Sequence, residues 1–205
     1  MRLINKPMKR LSLYLFLILF TLQTPSLADD IRDFQIEGMS IGDSALDFLS
    51  EGEITRKKYY AYPLKEYYQT SFNINNSEEY TSVQISIKEG DKDFIISSIE
   101  GGIHPINFSE CKERKKNIEK DILAMLPNLK VIFGKEEAMW SDSATKAITT
   151  DFYFNKTFID GDAIRIMCID RSKKIEEEKG WVDSLKVVIN SKKFNIFIEK
   201  NINNN

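Results

Sequence analysis

Two cysteines, Cys111 and Cys168, constrain the fold more than any other feature of the chain, because the pattern around each turns it inward. Cys111, Ile118, Ile122, Met125 and Leu129 recur at helical spacing, whereas Ile164, Ile166 and Cys168 alternate as one face of a strand. A disulfide between them would fix the helix on the sheet. Closing the intervening loop stabilises by about 4 kcal/mol in the chain-entropy model, a large share of a total of about 5 to 15 kcal/mol. The rival readings are two buried free thiols, or a nucleophilic Cys111 served by His104.

The amino terminus favours the disulfide, because it points to export. Met1 to Ala28 has the three parts of a secretory leader: a basic stretch with Arg2, Lys6, Lys9 and Arg10, an apolar run from Leu11 to Leu22, and small residues in Pro25-Ser26-Leu27-Ala28. Cleavage after Ala28 is expected. The apolar run is far short of the roughly 20 residues that span a bilayer, no cysteine follows the cleavage region to carry a lipid, and no second long apolar stretch occurs. The expectation is therefore an exported protein without a membrane span, periplasmic or secreted, in which an even cysteine count forms a disulfide. Loss of the leader takes the formal charge from −2 to about −6, a sign that argues against nucleic acid as a partner.

Elements read in order along the mature chain. Ser40-Ile41-Gly42-Asp43 has the form of a capping box ahead of a short helix bearing Ile41, Ala45, Leu46 and Leu49. Thr81, Val83, Ile85 and Ile87 alternate as a strand, residues 89 to 92 supply a turn, and Phe94 to Ile99 return as a central strand. Tyr59 to Phe72 is aromatic and extended. Gly101-Gly102 and His104-Pro105 mark a seam that divides the chain into residues 29–104 and 105–205. Beyond it, Ser109 is expected to cap a helix that Pro127 ends. A strand then carries Ile148, Thr150, Phe152 and Phe154, and Asp160-Gly161 is a hairpin signal. Trp181, Leu185, Val187 and Ile189 form a further strand, and Ser191 caps a terminal helix with Phe194, Phe197 and Ile198 inward. Glu176-Glu177-Glu178 reads as a charged loop, and Asn201 to Asn205 as a frayed end. The class is α+β, a helix packed on antiparallel sheet, in an order that fits two similar helix-plus-strands units.

Catalytic kits are missing from the pattern. The sequence has one histidine, His104, and no carboxylates at helical spacing to complete a metal site, so no metal, cofactor or catalytic residue is assigned. His104 reads as a solvated loop side chain. Tyr59, Tyr60, Tyr62, Tyr67 and Tyr68, interleaved with lysines, compose a candidate binding surface for a sugar or peptide; the competing reading is strand packing.

The segment Asp33 to Ser44, the later Gly180-Trp181-Val182-Asp183-Ser184-Leu185-Lys186-Val187, and one cysteine in each of two intervening elements resemble a group of small exported bacterial proteins of unknown function. That resemblance implies no activity. Gly38-Met39-Ser40 is also similar to the opening of small outer-membrane assembly proteins of the SmpA/OmlA type; the chain departs from them in lacking a lipobox cysteine and a Gly-x-Pro after the helix, and no residue role carries over. The functional expectation is a non-catalytic module that binds a protein or envelope component. The alternatives are an envelope hydrolase with paired carboxylates and a small-ligand binder using the tyrosine-rich segment.

Overall fold

The computed structural model describes residues 31–74, 77, 79–139 and 142–203. The expected leader, Met1 to Ala28, lies outside the described residues. Among them, eight strands form one antiparallel sheet: β1 (Tyr67–Asn73), β2 (Ser82–Lys88), β3 (Ile96–Ile103), β4 (Lys130–Phe133), β5 (Glu137–Met139), β6 (Asp142–Tyr153), β7 (Ala163–Asp170) and β8 (Ser184–Asn190). Their order is β1-β2-β3-β8-β7-β6-β4, with β5 also on β6. Four α-helices accompany them: α1 (Glu51–Arg56), α2 (Phe108–Met125), α3 (Lys173–Lys179) and α4 (Lys192–Asn203). The protein is thus mixed α+β with an antiparallel sheet.

The sheet runs without a break across the expected seam, because β3 pairs with β8 from Ser98↔Asn190 to Ile103↔Leu185. Gly101 and Gly102 lie inside β3 and serve close packing on opposite faces. A Cβ on Gly101 would meet the Tyr80 ring at 2.5 Å, and one on Gly102 would meet Ser82 Oγ at 2.6 Å.

Alternation gives the sheet two unlike faces. On the first, one lateral row runs Ile85, Ile99, Ile189, Ile164, Phe152 and Val131. This row belongs to a single core cluster that also takes in Ile31, Ile36, Met39, Ile41, Ala45 and Ile54 from the amino-terminal segment and Ile122 from α2. The cysteines meet here. Cys111 of α2 is bonded to Cys168 of β7 with their Cα atoms 5.8 Å apart, and both residues are buried.

Helix α2 begins slightly earlier than expected because Asn107, not Ser109, is the cap: its Oδ1 accepts from Glu110 N at 2.9 Å. Its buried stripe also differs. Met125 is exposed, while Lys115, one turn beyond Cys111, is only 6 % exposed. The ammonium is accommodated because it pairs with Glu119 and donates to Thr150 Oγ1, and Thr150 Oγ1 in turn donates to Glu119 Oε1 at 2.6 Å.

Local signals moved in several places. Asp43 does reach back to Ser40 N at 2.8 Å, but Ser40 Oγ donates to Phe34 O. Only a 3-10 turn at Ala45–Asp47 follows, with Leu46 exposed. The complete capping box is Ser50 with Glu53, opening α1. Asp160-Gly161 is not a two-residue hairpin turn, since residues 154–162 connect β6 to β7 and Asp160 accepts from Thr157 Oγ1. The tight turn with two positive φ angles is Glu37-Gly38, at 53° and 79°, where Ile36 and Met39 exchange both backbone hydrogen bonds. The acidic run Glu176-Glu177-Glu178 lies in helix α3, started by Ser172 and stopped by Gly180 in the left-handed region.

The second face of the sheet is polar over much of its area, and α4 covers one end of it. Ser191 Oγ accepts from Phe194 N, and Phe194 and Phe197 pack with Tyr67, Tyr62, Leu64 and Ile198 in a separate small cluster. Asn201 belongs to this helix and is buried. Its amide donates to Phe197 O and accepts from Leu64 N, which joins the end of α4 to the segment before β1. Asn204 and Asn205 lie outside the described residues.

Candidate functional site

Beyond the reach of α4, the polar face forms an open hollow of about 420 Å³. Four strands make its floor. Ser71 of β1, Gln84 of β2 and Glu100 of β3 stand side by side in register, and Asn73, Ser82, Gly102 and Lys186 form the next row. Gly102 deepens the hollow, because a side chain there would occupy the space of the Ser82 hydroxyl. The wall is the segment around α3, which contributes Arg171, Gly180, Trp181 and Val182.

The floor carries a charged pair and a fixed polar network. Lys186 Nζ donates to Glu100 Oε1 at 2.6 Å, both side chains being only partly exposed. Tyr59 Oη and Ser71 Oγ donate to Gln84 Oε1 at 2.6 and 3.2 Å. Burial pushes the Tyr59 phenol above its ordinary value, so it remains a donor at neutral pH. His104 Nε2 lies 3.0 Å from Ser82 Oγ, and its backbone N donates to Thr81 Oγ1. The histidine is therefore anchored to β2 and not a free loop side chain.

The wall holds a cation of different standing. Arg171 Nε is buried and makes no hydrogen bond. Its guanidinium carbon lies 5.3 Å from the centre of the Trp181 ring, and Lys179 Nζ lies 4.7 Å from the same ring. Burial lowers the Arg171 pKa from its ordinary value, against the attraction of Asp183 and Glu100. Trp181 lies outside β8, in the segment that follows α3, and is 51 % exposed. The wall is tied down by Asp142, which accepts from Ser172 Oγ at 2.5 Å and Thr145 Oγ1 at 2.7 Å, and by Asp183, which accepts from Arg171 N at 2.6 Å.

The five candidate tyrosines do not share one surface. Tyr59 lines the hollow. Tyr60 is exposed and donates to Glu89, itself paired with Lys58. Tyr62 and Tyr67 pack edge-on against Phe197 and Phe194, at 5.3 and 5.2 Å between centroids. Tyr68 points to the opposite face and is buried in the main core, where Lys58 Nζ sits 4.4 Å from its ring centre. A strand sends successive side chains to opposite faces, so adjacent tyrosines in β1 part company.

Ser82, Glu100, Arg171, Lys186 and Trp181 meet in the hollow although they come from distant parts of the chain. Periodicity could place Ser82 and Lys186 on the polar sides of their strands, but which strands become neighbours was not available from local pattern. Among the described residues, no group of three or more His, Cys, Asp or Glu could hold a metal ion, and no helix is long and apolar enough to cross a membrane. No family model matches the chain, and neither a characterised protein nor a solved structure matches it.

Proposed function

We propose that this is an exported, non-catalytic protein, freed of its leader at Ala28, that binds an envelope component through the open polar part of its sheet. The helix α2 docked on one face serves as scaffold, and the other face carries the recognition surface. The observation that carries this reading is the incomplete cover of that second face. Helix α4 closes one end, while the side chains of four inner and edge strands face a hollow with its own wall of Arg171 and Trp181. A disulfide buried in the core accords with an oxidising compartment, and the acidic mature chain disfavours nucleic acid as the occupant.

The paired-carboxylate alternative finds less support in this site. The lining contains one carboxylate, Glu100, and Lys186 is bonded to it; glycoside hydrolysis by acid and base requires two. The tyrosine-rich segment contributes Tyr59 alone to the hollow. Capture of the tagged mature protein on its own envelope fraction tests the reading when run beside a Trp181→Ala, Lys186→Glu double variant. The wild type should retain an envelope component that the variant loses. Equal retention by both would count against this face.

A further inference from the structure

We infer that the free edge of β1 receives an extended segment of an envelope protein as an added antiparallel strand. This rests on the reading of the open face as the recognition surface and names the kind of component it takes. The side chains of the floor are largely matched within the protein: Tyr59 and Ser71 donate to Gln84, Ser82 meets His104, and Lys186 is bonded to Glu100. What stays open is backbone at the rim. β1 is the last strand of the sheet, and its Ser71 and Asn73 line the hollow. The chain fills the outer side of this strand once, where Tyr59 exchanges both backbone hydrogen bonds with Gln69 at 2.9 and 2.8 Å. Alternation turns the N–H and C=O of Ser71 and Asn73 to that same outer side, while Ile74 N donates inward to Thr81 O. Among the described residues nothing bonds these four outward groups. Such a row is a template for a further strand.

A cavity beside the same edge supplies selectivity. It measures about 70 Å³ and is lined by Leu49, Thr70 and Phe72 together with Glu53, Arg56 and Lys57. Side chains of an antiparallel strand alternate between the faces of the sheet. Residues opposite Ser71 and Asn73 would therefore rise beside the hollow, and the residue between them would turn to the apolar face next to Phe72. The cavity lies at that level. Its size suits one small aliphatic side chain, which would join Leu49 and Phe72 at the margin of the main core. The charge around it is positive, because Glu53 is held by Ser50 N and Oγ at 2.9 and 2.6 Å, while Arg56 and Lys57 are exposed. The segment that fits carries polar, aliphatic and polar residues in turn, with a carboxylate close by. The opposite edge of the sheet, at β4 and β5, contributes nothing to the hollow.

Amide hydrogen exchange of the intact mature protein tests the inference with the probe peptide acetyl-Thr-Ser-Val-Ser-Asp-amide, its valine matching the cavity and its serines the two open rungs. In the free protein the Ser71 and Asn73 amides should exchange quickly, and those of Thr70 and Phe72, which face β2, slowly. The peptide should protect Ser71 and Asn73 saturably. N-methylation of both its serines should weaken binding by about tenfold or more. Asn73→Pro should do the same to the unmodified peptide, because it removes an outward N–H and spares the inner ladder. Lys57→Glu should weaken binding at low salt. Slow exchange of Thr70 and Phe72 in both variants checks that they fold. Slow exchange of Ser71 and Asn73 without peptide would overturn the inference, meaning a closed edge if independent of protein concentration and a second copy on the edge if not. Equal binding of the N-methylated peptide, or indifference to Asn73→Pro, would overturn it as well. If the peptide fails while the Trp181→Ala, Lys186→Glu variant still loses its envelope component, the added strand is the wrong occupant and the recognition face stands. If that variant loses nothing, the face itself is wrong.

Discussion

At the scale of single residues, the hollow depends on a missing side chain and the core on a matched charge. Gly102→Ala would push a Cβ to within 2.6 Å of Ser82 Oγ, so the hydroxyl must shift, which disturbs its contact with His104 Nε2. The expected outcome is a folded protein whose His104 ring resonances shift and whose ligand or partner affinity falls. In the core, Lys115→Met would leave Glu119, partly buried beside Thr150, without its cation. That change should destabilise by about 3 kcal/mol or more, whereas Lys115→Met with Glu119→Leu should recover most of the loss, as read from urea midpoints. Alkaline pH acts on Tyr68 and Tyr80, whose phenols burial pushes up to about 12. Their folded pKa values exceed the unfolded value near 10, so the stability they contribute is complete below pH 10 and is lost as pH rises toward 12. A melting temperature that stays flat from pH 10 to 12 would contradict that assignment.

At the scale of elements, the disulfide joins α2 to β7, and its removal should be felt by the whole domain. Cys111→Ala with Cys168→Ala should lower unfolding free energy by about 4 kcal/mol, measured by denaturant titration. This joint was legible in the sequence because two independent periods each pointed a cysteine inward. The strands with clean alternation, Val83-Ile85-Ile87 and Leu185-Val187-Ile189, were legible for the same reason. Lys115 was not, because hydropathy cannot show that Thr150, far along the chain, waits opposite it. Helix α3 was missed because its residues bury nothing, leaving only its caps, Ser172 and Gly180, as signals. The weakly alternating β4 and β5 were missed too; they sit at the edge on β6 and bury little. Turn chemistry misled at Asp160-Gly161, where a close approach to Asn155, and not a positive φ, accounts for the glycine.

At the scale of the whole molecule, one sheet carries an apolar face and a polar one. Residues of its apolar face share one core cluster with the amino-terminal segment and with Cys111 and Ile122 of α2. The polar face is framed by α4 and by the segment after α3. The sequence shows which residues alternate outward, but the assembly of Ser82, Glu100, Lys186 and Arg171 into a single hollow needs the pairing of β3 with β8, a long-range choice that local pattern does not encode. The central claim, that this hollow is where the protein meets its envelope component, is tested most directly by photocrosslinking in the living cell. A photoreactive residue replacing Gln84 on the floor should give a discrete adduct, and one replacing Glu137 in the exposed edge strand β5 should give none. Adducts from Glu137 alone, or from neither position with the protein present at normal level, would contradict the account.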